Sequence, residues 1–155
     1  MKAISRRELH VALSALVGSA PKTPQTGPQP EPEKSRKTTL SDSQVLCPDQ
    51  LPVTTNANGR KSWDILHGVL ATGEAIALHE SLQPAGIAVS PPHRIQHTEL
   101  ILVQEGTLLF EHDGRSERVG AGGVIFVAFG TNHRARNVGD GPAKYLVVAI
   151  GGDTG

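Results

Sequence analysis

Three of the seven histidines of this 155-residue chain lie in two short segments that also hold a glutamate within reach. The first segment, Gly86 to Gly106, contains Pro91-Pro92-His93-Arg94-Ile95-Gln96-His97-Thr98-Glu99. Residues two apart on a strand face the same side, so His97 and Glu99 project together when Thr98 is extended. An imidazole nitrogen and a carboxylate oxygen on one face are half of a first-row transition-metal site. His93 shares that parity, yet a fully extended chain would hold it about 20 Å from Glu99 at ~3.3 Å per residue. The chain must therefore bend between them before both can reach one ion, and Pro91-Pro92 with the polar Gln96-His97-Thr98 stretch permits a bend. The second segment places His133 just after Gly130-Thr131-Asn132, at the head of a strand. Taken alone, such a histidine is more often a surface or satisfied core residue than a ligand. Cys47 is the only cysteine, which rules out an internal disulfide and a cysteine-based zinc site. Any metal site in the chain has to be built from His and carboxylate.

The elements that must carry these residues are short strands. Seventeen glycines and eleven prolines beside a hydrophobic content of 37% suit a loop-rich β protein. Apolar or alternating runs predict strands at about 63–70, 74–82, 99–105, 107–112, 117–119, 124–128, 133–138 and 145–150. Asp113-Gly114 has the chemistry of a type I′ hairpin turn. No stretch has the length and period of an amphipathic helix. Eight or so short strands must close into a sandwich, jelly roll or small barrel to bury one face and protect their edges. The expected fold class is all-β.

The N-terminal part reads differently. Lys2, Arg6 and Arg7 precede an apolar run from Leu9 to Ala20, which is too short for the roughly 20 residues of a membrane-spanning helix. Ser5-Arg6-Arg7-Glu8-Leu9 resembles a twin-arginine export signal, and Gly18-Ser19-Ala20 supplies small residues for cleavage, although Pro21 follows at once. Residues 1–20 are therefore expected to be an export signal for a periplasmic or secreted protein. From Pro21 to Lys37 there is no aliphatic residue, so 21–43 is expected to be a disordered linker before a folded domain at 44–151. A net charge of zero and five scattered aromatic residues argue against a nucleic-acid partner.

Both histidine segments resemble the two sequence motifs of the cupin superfamily, over about residues 45–151. In the first motif His93, Glu99 and Gly106 fall in the family's places, while Ile95 stands where a second histidine is usual and Gly86 is one residue early. In the second, Gly122, Gly130, His133 and Asn137 are in register and Ala128 replaces a proline. The resemblance implies a small single-domain cupin, a double-stranded β-helix or jelly-roll barrel. It also implies His93, Glu99 and His133 as ligands of a divalent metal such as Fe, Mn, Zn, Ni or Cu. His97, two places before the glutamate, is the candidate to replace the imidazole lost at Ile95.

The resemblance leaves two functions open. One is a metal-binding cupin that coordinates an oxygen-rich small molecule, as an oxygenase or isomerase; the other is a metal-free module that binds a sugar-like ligand. Homodimerisation through unprotected strand edges is expected as well. Parity points Arg94, Arg134 and Arg136 outward and puts Trp63 and His67 on one face. Trp63, Leu102, Phe126 and Phe129 are expected in the core or at a barrel end. The register of His79 stays open between lumen and solvent.

Overall fold

The computed structural model describes residues 38–152, and the expected export signal and most of the expected linker lie outside them. Among the described residues eleven strands form, in chain order β1 (Thr39–Leu40), β2 (Val53–Thr55), β3 (Lys61–Leu70), β4 (Ala75–Gln83), β5 (His93–Arg94), β6 (Thr98–Glu105), β7 (Thr107–His112), β8 (Arg115–Gly120), β9 (Val124–Val127), β10 (Asn132–Asn137) and β11 (Ala143–Ile150). Pro48–Gln50 makes one 3-10 turn. Among the described residues no helix is long and apolar enough to cross a membrane.

The strands make two sheets. The larger runs β1-β3-β4-β11-β6-β9 with β2 also on β3, and the smaller runs β5-β10-β7-β8. Apart from the parallel β1–β3 pair, every pairing is antiparallel. This is the cupin jelly roll, a double-stranded β-helix of the expected all-β class.

Alternation along the central strands turns one face of the larger sheet inside. On β11 the residues Ala143, Tyr145, Val147 and Ala149 are buried while their neighbours are not. On β6 the same holds for Glu99, Ile101 and Val103. From the smaller sheet Leu108 and Phe110 meet them, and Ile95, 3% exposed, fills the seam. Complete burial of a side chain such as Leu108 contributes about 1.5–3 kcal/mol.

Two turns show why the strands end where they do. Asp113 and Gly114 both have positive φ, 45° and 74°, as the type I′ turn between β7 and β8 requires. Gly106, at φ +76° between β6 and β7, lies so close to the next loop that a Cβ would meet the Pro142 carbonyl oxygen at 2.6 Å. The chain crosses there from one sheet to the other, and only glycine fits.

Three expectations need correction. Thr39 and Leu40, inside the expected linker, pair with Val69 and Leu70 and extend the larger sheet. Phe126 is 65% exposed because the inward places of β9 are taken by Ile125 and Val127, and Phe129, 63% exposed, lies in the turn beyond the end of that strand. Trp63 and His67 do not share a face, since a register shift between Asp64 and Leu66 sets Trp63 opposite Glu80 and His67 opposite Ala77.

Candidate functional site

A cavity of about 250 Å³ opens between the two sheets. The larger sheet supplies His79 from β4, Glu99 and Ile101 from β6, and Tyr145 and Val147 from β11. Ladder pairing explains their proximity, because Val147 is flanked by His79 on one side and Ile101 on the other. The smaller sheet supplies His93 from β5 and His133 from β10, which are direct cross-strand partners. Their rings lie 4.8 Å apart, and the His133 ring is 5.5 Å from Phe110. Arg60, from the loop ahead of β3, also lines the cavity.

The bend demanded by the spacing of His93 and Glu99 is a change of sheet. Residues 93–94 pair in the smaller sheet and residues 98–105 in the larger one, so the intervening segment brings two distant side chains to one cavity. Ile95 points into the hydrophobic core and His97 does not line the cavity. The His97 Nε2–H donates to Glu99 Oε1 at 2.8 Å. His133 Nε2 sits 3.5 Å from Glu99 Oε2. With Nε2 directed at the carboxylate, His133 Nδ1 is buried without a hydrogen-bond partner among the described residues.

These contacts set the charge of the site. Burial pushes the Glu99 carboxyl up, but hydrogen bonds and positive charge from His133 and His97 outweigh it and hold the group below its ordinary value. His93 is shifted down by burial and then by His133. His79 is shifted down by burial and then by the charge of Arg60. Burial raises the Tyr145 phenol, against the lowering influence of Arg60. The site is thus a carboxylate clasped by two imidazoles, with two further imidazoles biased toward neutrality and a guanidinium nearby.

The four expected metal ligands do not all line the cavity. His93, Glu99 and His133 share the cavity, whereas His97 stands outside its lining and is engaged with Glu99. Among the described residues no group of three or more His, Cys, Asp and Glu side chains is placed to hold a metal ion. The donors instead form a hydrogen-bonding wall.

Sequence reading missed Arg60 and Tyr145. Tyr145 had a signal, its inward parity with Val147 on a strand that was expected. Arg60 had none, because it sits in a loop whose geometry depends on a side chain four residues earlier: Asn56 Oδ1 accepts from the backbone N–H groups of Asn58 and Arg60, each at 3.0 Å. Arg134 touches the cavity rim, but its guanidinium is turned to Glu111, with hydrogen bonds of 2.7 and 2.8 Å, and Arg136 shares that carboxylate at 3.1 Å. Arg94 is exposed, as parity suggested, and donates to the Gly130 carbonyl.

Residues 78–149 match a family model described as "Cupin domain". No curated protein matches the chain at a significant level. Several solved structures share the fold. An RmlC-like cupin from Shewanella frigidimarina has a TM-score of 0.57 at 16% identity, covering 73% of this chain and 95% of its own. The polyketide cyclase RemF from Streptomyces resistomycificus has a TM-score of 0.56 at 20% identity, covering 70% and 80%. A predicted oxalate decarboxylase from Thermotoga maritima has a TM-score of 0.54 at 17% identity, covering 70% and 99%. At such identities the likeness speaks for the fold alone.

Proposed function

We propose that the chain, whose residues 78–149 match a cupin-domain model, binds an oxygen-rich small molecule in the cavity between its sheets, using side chains rather than a metal. The observation that carries this reading is the clasp on Glu99. Both carboxylate oxygens already face imidazoles, so the pair of histidines that would serve a metal is turned to a hydrogen-bonded wall. A cavity of about 250 Å³ lies just below the roughly 300–1,000 Å³ usual for ligand pockets, which suits a small metabolite. Apolar Ile101 and Val147 line it together with Tyr145, His79, His93 and Glu99, which offer polar atoms.

A second reading, a divalent metal held by His93, Glu99 and His133, is favoured by the way these three alone of the expected set share the cavity. One experiment separates the two. The full chain, purified without a metal-binding tag, is assayed for metal content and screened by ligand-observed NMR against small polyols and hydroxy acids, with and without a chelator. The expected result is binding that survives the chelator and is lost in Glu99→Gln. Near-stoichiometric metal that disappears in His133→Ala would overturn it in favour of the metal-dependent reading, and with it an oxygenase or isomerase.

Two further features belong to this proposal. The protein is exported in the folded state to the periplasm or beyond, which rests on Ser5-Arg6-Arg7 and the apolar run behind it. It forms a homodimer through β9, an edge strand without a charged residue whose Val124 and Phe126 are 60% and 65% exposed.

A further inference from the structure

Arg60 is the one cavity residue whose charge has no counterpart. Among the described residues it makes no ion pair, whereas Arg134 and Arg136 spend theirs on Glu111 and the carboxylate of Glu99 is held by two histidines. A guanidinium has five N–H donors in a rigid fork. Nη2 donates to Ser81 Oγ at 3.1 Å, and the guanidinium carbon lies over Tyr145, 5.9 Å from the ring centroid, where hydrogen bonding to Arg60 also lowers the phenol. Ser81 and Tyr145 are both buried inside the barrel, so these contacts fix the guanidinium from behind.

The backbone below it is equally fixed. Asn56 ties down the loop, Gly59 turns it at φ +79°, and the Asn56 backbone N–H donates to the Arg60 carbonyl at 3.0 Å. Arg60 is therefore a pre-organised cation at the cavity wall, and its field is felt by His79, His93 and Tyr145. Holding a half-buried guanidinium unpaired costs free energy, and an incoming anion offsets that cost.

We propose that Arg60 anchors the carboxylate of a small hydroxy or oxo acid, whose remaining oxygens face His79, His93 and Glu99. This assignment rests on reading the cavity as a small-molecule site and narrows it to one ligand class. A neutral sugar would leave the guanidinium without a counter-charge. The size of the cavity restricts the acid to a few carbon atoms.

The test uses the full chain and two probes of one carbon skeleton, tartrate and its uncharged counterpart threitol, with affinities measured by NMR titration. Tartrate is expected to bind and threitol to bind at least ten-fold more weakly. Arg60→Met is expected to lower tartrate affinity ten-fold or more with the ligand-free melting temperature close to that of the parent. Arg60→Lys, which keeps the charge and loses the fork, is expected to fall between them and carries the test should Arg60→Met fail to fold. Threitol binding as well as tartrate, or equal tartrate affinity in parent and Arg60 variants, overturns the anchor while leaving the small-molecule reading in place. Binding of neither probe overturns the anchor; silence across the whole polyol and hydroxy-acid screen overturns the small-molecule reading with it.

Discussion

At the residue scale, Ile95 marks the point where this chain departs from the two-histidine motif that it otherwise resembles. It is 3% exposed and packs with the apolar cluster rather than facing the cavity. Replacing it by histidine would bury an imidazole without a partner, and a group so placed costs about 1–3 kcal/mol. Ile95→His is therefore expected to lower stability by that amount in denaturant titrations carried out in chelator, and added divalent metal is expected not to restore it. Full recovery by metal would show that the position belongs to an ion site. Much of the cavity lining was legible in the sequence, since the resemblance singled out His93, Glu99 and His133, which share the cavity. For His97, parity fixes the face of the side chain and not its partner. It shares a face with Glu99 and uses that nearness to bond to Glu99 itself.

At the element scale, β7 and β10 are held by more than their ladder. Glu111 on β7 receives Arg134 and Arg136 from β10 at a two-residue spacing, so one carboxylate bridges two places on the neighbouring strand. Hydrogen bonding to Arg134 pulls the Glu111 carboxyl down to about 2, against a smaller upward push from burial and with added help from Arg136. A group whose value is lower in the folded state binds its proton more readily once unfolded. Its contribution to stability is thus complete above the ordinary value of 4.5 and is lost as the pH falls toward about 2. Glu111→Gln is expected to flatten the fall in melting temperature across that window and to leave the melting temperature at pH 2 nearly unchanged. An unaltered slope would mean that the bridge is not formed in solution. The eight longer strands were readable from alternation, but β1, β2 and β5 were not. Two or three residues carry no period, and β5 exists because His93 and Arg94 lie against β10 rather than because of their own propensity.

For the whole molecule, one face remains to be covered. β9 ends the larger sheet, and its outward Val124 and Phe126 continue onto Leu100 and Leu102 of β6, their ladder partners. An edge strand with free backbone groups and apolar side chains is a template for pairing, and a second copy presenting the same strand about a two-fold axis satisfies both. Sedimentation of the full chain is expected to give a dimer, and Phe126→Lys is expected to shift it to monomer without loss of ligand binding. A monomeric parent protein would sink the assignment. The dimer is an expectation from the sequence as well, but Phe126 was expected inside, because a phenylalanine in a short apolar run carries no mark of which parity faces the lumen.

The change of sheet between Arg94 and Thr98 also bears on how the barrel breathes. His93 rides on the smaller sheet and Glu99 on the larger, so a molecule touching both is a strut between two layers. Any movement of one layer against the other passes through the segment 95–97 that joins them. A bound ligand would quiet that motion and slow amide exchange most at β5 and the head of β10, so that occupancy is written into the mechanical stiffness of the barrel as well as into its chemistry.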